Sequence, residues 1–228
     1  MKTASLSLRV LARLLSYPDA ELRGHLDDMR DALHSEGAVP AARLAELDAL
    51  IRKLGAGDPL EAEADYVQLF DSGRSTSLHL FEHVHGDSRE RGPAMIDLTQ
   101  TYEKAGLLLA PGELPDYLPV VLEFVSTQPP REARAFLGEI AHILNAIFSA
   151  LVKRESAYAS VIAALLEIAG EKVQAVKVAE DQALDESWAE PVVFDGCSTQ
   201  GQAKPGQPQP VHVVRKNAST NATTGARA

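Results

Sequence analysis

Apolar residues recur along this chain at intervals of three and four, and Pro, Gly and Ser-rich breaks punctuate them. That spacing belongs to amphipathic helices, and no period-two run or hairpin signal interrupts it. Leu6, Val10, Leu11, Leu14 and Leu15 form the first stripe, closed by Ser16, Tyr17 and Pro18. Asp19 is placed to cap a second helix with Leu22, Leu26, Met29 and Leu33 on its buried side. Leu44, Leu47, Leu50, Ile51 and Leu54 repeat the pattern until Gly55–Pro59, where Asp58 followed by Pro59 is a helix start. Later come Met95, Ile96, Leu98, Tyr102 and Leu107, then Phe136 to Leu151 as the longest and most apolar helix, then Tyr158 to Ala169. There is no fixed repeat period and no sustained heptad, so the expectation is all-α, a single globular helical-bundle domain.

That domain is expected over residues 1–195, with a weaker helix from Val173 to Ser187 and Trp188 docking this piece onto the body. Residues 196–228 are dominated by Gly, Gln, Pro, Thr, Ser, Asn and Ala and are expected to form a disordered tail. The tail holds four basic residues (Lys204, Arg215, Lys216, Arg227) and no acid, so the body is more acidic than the overall net charge of -10. Such a surface repels nucleic acid and anionic lipid and favours a basic partner. The one cysteine, Cys197, allows no disulfide framework. The N-terminus is too polar for a secretory core and no run of about 18 apolar residues exists, so a cytoplasmic protein without membrane insertion is expected.

Residues 65–95 stand apart from this generic helical background. They hold three histidines (His79, His83, His85), and Tyr66, Leu69 and Phe70 end in a breaker at Asp71–Gly73. Ser75 or Ser77 can cap the next helix, with Leu78, Phe81 and Val84 on its buried side, and Gly86 stops it. Helix ends and joints so close together leave backbone groups without partners. Arg74, Glu82, His83, His85 and Arg89 are candidates to supply them. A second segment, Glu113 to Phe124, sets Pro115 and Pro119 at the head of an apolar helix, with Asp116 placed to cap it.

Both segments carry a resemblance. Tyr66-Val-x-Leu-Phe-Asp-x-Gly-Arg-x-Thr-Ser-Leu78 and Leu80-Phe-Glu-His-Val-His-Gly86, with Ser88-Arg-x-Arg-Gly92 after it, resemble the NarJ-type delta subunits of respiratory nitrate reductase. Glu113-Leu-Pro-Asp-x-Leu-Pro-x-x-Leu-Glu-Phe124 resembles a second hallmark, shared with the TorD/DmsD-type redox enzyme maturation proteins, although Tyr117 stands where the usual pattern has histidine. The resemblance covers roughly residues 1–195. It implies a system-specific chaperone without catalytic residues, metal or cofactor of its own. Its implied partner is the apo catalytic (alpha) subunit of nitrate reductase, recognised chiefly through an N-terminal peptide and held for insertion of the molybdenum cofactor and an iron–sulfur cluster before membrane attachment. Molybdenum cofactor biosynthesis proteins are further implied partners.

The physical form expected for that recognition is an amphipathic helix of the partner lying in an apolar groove. The groove is expected beside Phe70, Phe81, Tyr117, Leu118 and Leu122, with Arg74, Glu82, His83, His85, Asp116 and Glu123 as its polar edge or supporting shell. Histidines at such an edge imply an affinity that changes between about pH 5 and 8. Two other readings compete. His79-Leu-Phe-Glu82-His83 fits the inverted zinc-hydrolase pattern, though no third ligand is evident. A general acidic helical adaptor for assorted basic partners is the other.

Overall fold

Most of the apolar stripes lie on helices with the striped side inward, and Pro, Gly or Ser residues end several of them. The computed structural model describes residues 3–86 and 88–176, all within one compact unit, Met1–Asp181. In chain order the helices are α1 (Ser5–Leu14), α2 (Ala20–Gly24), α3 (Leu26–Glu36), α4 (Ala41–Ala56), α5 (Pro59–Phe70), α6 (Leu80–Val84), α7 (Arg91–Lys104), α8 (Leu118–Thr127), α9 (Pro130–Glu139), α10 (Ala141–Lys153) and α11 (Ala159–Ala169). A 3₁₀ turn, Arg74–Thr76, lies between α5 and α6. The only pairing of extended backbone among the described residues is one antiparallel bridge, His79 with Tyr117. The fold is all-α, as expected.

Two starts follow the expected chemistry. The Asp19 carboxylate accepts the Leu22 N–H at 2.8 Å, and Asp58 accepts the Leu60 N–H at 2.8 Å with Pro59 in the first turn. In each, a short acidic side chain satisfies a donor that the helix cannot.

The buried apolar residues form one continuous core. α1 packs most extensively on α8, through Leu11, Leu14 and Leu15 on one side and Leu118, Val121, Leu122 and Val125 on the other, all fully buried. α11 is buried almost all round, from Ser160 through Leu166, and is flanked by α10, α9 and α4. A helix apolar on every side can only sit inside. Each fully buried leucine contributes about 1.5–3 kcal/mol.

Several expectations need correction. The stripe Leu22–Leu33 is two helices, broken at His25. The long helix expected from Phe136 to Leu151 bends by 63° between α9 and α10. The bend lets Leu137 and Ile147, both fully buried, face the interior from differently directed axes. α7 ends at Lys104, so Leu107 lies beyond it, and Ile96 is 59% exposed. Residues 173–176 carry no helix. Instead the N–H groups of Gln174 and Val176 donate to Asn145 Oδ1 (2.8 Å) and Ser149 Oγ (2.9 Å) on α10. The rest of the expected helix to Ser187, Trp188, the boundary at 195 and the tail lie outside the described residues. No single helix among the described residues is long and apolar enough to cross a membrane.

Leu122 tests this packing. Leu122→Ala lowers the unfolding free energy by about 2–5 kcal/mol in urea titrations, whereas Val152→Ala, at a position 48% exposed, changes it by less than about 0.5 kcal/mol.

Candidate functional site

The two segments singled out in the sequence meet at one carboxylate. Asp116 is fully buried, and a buried charge is tolerated only when it is paired. Its Oδ2 accepts the Phe81 N–H at 3.1 Å, its Oδ1 faces His79 Nδ1 at 3.4 Å, and Arg91 Nη2 stands 3.8 Å from Oδ2. Its main-chain carbonyl accepts the Leu80 N–H at 3.0 Å. The first two N–H groups of α6 are thus both satisfied by one residue 35 positions away or more, and the carboxylate sits where a helix N-terminus favours negative charge. Asp116 was expected to cap its own helix; α8 instead begins at Leu118, with Tyr117 at the N-cap position and no side-chain cap. Neither Ser75 nor Ser77 caps α6, whose N-cap is His79.

The surrounding residues lock the arrangement. Leu118 N–H donates to the Leu78 carbonyl at 2.8 Å. Tyr66 Oη donates to the Leu15 carbonyl at 2.7 Å and lies 3.1 Å from Tyr117 Oη, so Tyr117 donates to Tyr66. Burial pushes both phenols up in pKa, above the ordinary value, and they remain neutral donors. Tyr117 therefore ties the second segment to the first. His83 Nε2 bonds the Ser77 carbonyl at 2.8 Å, and the His85 ring stands edge-on to Phe81 at 5.4 Å. Glu82 pairs with Arg91 at 3.6 Å, so Arg91, rather than the exposed Arg89, serves the junction. Gly86 has φ +52°, and a Cβ there would lie 3.5 Å from the Arg74 guanidinium. The turn after α6 thus requires left-handed backbone of the kind glycine adopts without strain.

The expected groove residues divide into two groups. Phe70, Leu118 and Leu122 are core, at 5%, 0% and 0% exposure, and cannot form an open wall. Phe81, Glu82, His83, His85 and Tyr117 are half-buried at the junction, Val84 is 52% exposed beside them, and Arg74 is exposed. Exposed Glu123 lines a separate cleft of about 480 Å3 on the outer side of α8. Tyr102, Leu107, Leu109, Val120 and Phe124 form its apolar wall, and Arg9 and Arg13 stand at its edge. No single segment of the sequence marks this cleft, because its walls come from α1, α7, the loop after α7 and α8. One bond joins it to the junction: Tyr102 Oη donates to the Pro115 carbonyl at 2.7 Å, next to Asp116.

The zinc-hydrolase geometry is not met. α6 starts at Leu80, which leaves His79 outside it, turned to Asp116 while His83 is turned to a carbonyl. Among the described residues no three His, Cys, Asp or Glu side chains are grouped to hold a metal ion.

The hydrogen bond to Asp116 raises the His79 pKa above its usual value, against the opposing effect of burial. A raised folded-state pKa means stability that is complete below the unfolded value of about 6.5 and is lost as pH rises through the folded value. Urea midpoints should therefore fall from about pH 6.5 upward in the native chain, and Asp116→Asn should flatten that decline. An unchanged slope in the variant would show that this pair does not set it.

Residues 22–164 match the model of the nitrate reductase delta subunit family. The nitrate reductase molybdenum cofactor assembly chaperone NarJ of Escherichia coli K12 is 44% identical over 195 residues, covering 81% of this chain and 83% of that protein. The probable chaperone of the same description from Bacillus subtilis 168 is 32% identical, over 71% of this chain and 86% of its own length. Among solved structures, a putative redox enzyme maturation protein from Archaeoglobus fulgidus superposes with a TM-score of 0.52 at 20% identity, over 75% of this chain and 96% of that one, and shares its fold. Two hallmark segments interlocked at Asp116, together with these matches, place the chain in the nitrate reductase delta subunit family.

Proposed function

We propose that this protein is an assembly chaperone of a respiratory nitrate reductase, serving molybdenum cofactor insertion. The observation that carries the reading is the 44% identity, across most of both chains, to a relative described as that chaperone. In this reading the protein binds the apo catalytic (alpha) subunit, chiefly its N-terminal segment, and holds it competent for the cofactor and an iron–sulfur cluster. It makes and breaks no covalent bonds. Molybdenum cofactor biosynthesis proteins would meet it in the loaded complex.

The cleft beside α8 suits the task. An amphipathic helix could bury its apolar side on Val120, Phe124, Leu107 and Leu109, with Leu108, 85% exposed, at the rim. Gross attraction of roughly 25 cal/mol per Å2 of buried apolar surface is offset by ordering the segment, so binding stays reversible. Glu123 would meet a cation on the helix, in keeping with the acidic body. Phe81, Tyr117, Asp116 and the histidines would act one step removed, by fixing the chain that leads from Pro115 into α8. Phe70, Leu118 and Leu122 would support it from the core.

Calorimetric titration of the full chain with the N-terminal segment of the catalytic subunit tests this. Saturable binding is expected, with Val120→Asp weakening it at least about tenfold through loss of apolar burial and Glu123→Gln weakening it about two- to fivefold. Affinity equal to that for an unrelated basic amphipathic peptide would favour the general adaptor instead. Affinity flat between about pH 5 and 8 would remove the histidines from recognition.

A further inference from the structure

Helix α5 is apolar on two sides. Its inner side is settled by Tyr66 and Phe70, the two buried residues of the helix. Their rings pack on each other at 4.8 Å and on Tyr158 at 6.2 and 5.1 Å. A surface helix held this way ordinarily turns polar residues to solvent. Here Leu60, Ala64 and Val67 lie outward instead, all exposed, Leu60 at 75% and Val67 at 41%. Among the described residues no other helix carries two exposed large apolar side chains.

Positions 60, 64 and 67 are four and then three residues apart, which sets them in one line along the helix. That is the spacing of the seam between two paired helices, and a small residue between two larger ones leaves room for an opposing side chain. Apolar residues scattered singly on a surface need no explanation, whereas a contiguous set rimmed by charge marks an interaction site. The rim here is acidic. Residues 58–71 hold five carboxylates (Asp58, Glu61, Glu63, Asp65, Asp71) and neither lysine nor arginine. Helical geometry sets Glu61 on one flank of the line and Glu63 on the other. From neighbouring elements Lys53 reaches Asp65 at 3.7 Å and Arg23 reaches Glu63 at 4.0 Å, so five acids stand against two bases and the face stays negative.

We infer that the outer line of α5 docks a basic amphipathic helix of a partner polypeptide, its apolar side on Leu60, Ala64 and Val67 and its cations beside Glu61, Glu63 and Asp65. Charge decides among the possible occupants. A second copy of this chain would bring a like-charged rim against the first, and an anionic membrane surface would be repelled in the same way. A helix of 12 residues offers a short seam, below the area of a stable complex, so the contact is weak and readily reversed. It shares no residue with the cleft beside α8. Failure here therefore leaves the proposed function standing, and the converse also holds.

The experiment titrates isotope-labelled full-length protein with a synthetic helix of about 18 residues, built from leucine, alanine and lysine with its leucines on one stripe. One control carries glutamate for lysine, and another has the same composition scrambled so that the stripe is lost. The lysine helix should give saturable amide shifts centred on residues 60–68, at micromolar or weaker affinity, and both controls should bind at least about tenfold more weakly. The double variant Leu60→Gln, Val67→Gln should keep the thermal midpoint within about 2 °C, because both side chains are exposed, while weakening binding at least about fivefold. Val120→Asp, in the other cleft, should leave this affinity unchanged. Equal binding of either control, shifts centred on the cleft beside α8, or unchanged affinity in the double variant would overturn the inference. So would a dimer in sedimentation that the double variant dissolves, because a second copy would then cover this face.

Discussion

A carboxylate with no exposure to solvent holds the two hallmark segments of this molecule together. Asp116 would carry a large desolvation penalty alone. It is tolerated because three groups from residues 79–91 converge on it: the Phe81 amide, the His79 ring and the Arg91 guanidinium. Those groups in turn depend on it. α6 is only five residues long, too short to stand by itself in water. Its N-terminal amides find acceptors only because the second segment crosses directly in front of them. The head of α6 thus relies on the second segment for its hydrogen-bond acceptors.

The same brace governs α7. That helix has a single buried residue, Tyr102, and would be loosely attached if packing alone held it. Arg91 near its start reaches Asp116 and Glu82, and Tyr102 near its end donates to Pro115. Both ends are therefore fastened to the same short stretch of chain. The loop after α7 then lies over Val120 and Phe124 and completes the apolar cleft. A chaperone needs a surface that is formed enough to recognise a segment and weak enough to release it. A cleft built partly from a loop, hung on a few polar bonds next to a tightly packed α1–α8 core, has that character.

Much of the helical architecture was legible in the sequence. Leucine stripes and the Asp19 and Asp58 caps specify helix starts from local chemistry alone, and both starts appear where they were expected, although the helix after Asp19 breaks at His25. The bend at Ile140 was not anticipated, because apolar residues at helical spacing on both sides of Gly138 and Glu139 say what is buried and not along which axis. Asp116 was misassigned for a related reason. A residue just ahead of a helix reads as that helix's cap, and nothing local reveals that a different helix, more than thirty residues earlier, lies closer. Burial of Phe70, Leu118 and Leu122 also escaped, since an apolar residue in a hallmark fits a wall or a core equally well. Arg91 was within reach: the pair of arginines ahead of Gly92 was noted, but only helical geometry selects between them.

The central claim is that Asp116 makes the head of α6 part of the folded core. Native-state hydrogen exchange of the Leu80 and Phe81 amides addresses it most directly. The account predicts that both exchange with protection close to that of the Leu122 amide in α8, and that Asp116→Ala strips protection from Phe81 first. Exchange at the rate of an open loop in the native chain would contradict it.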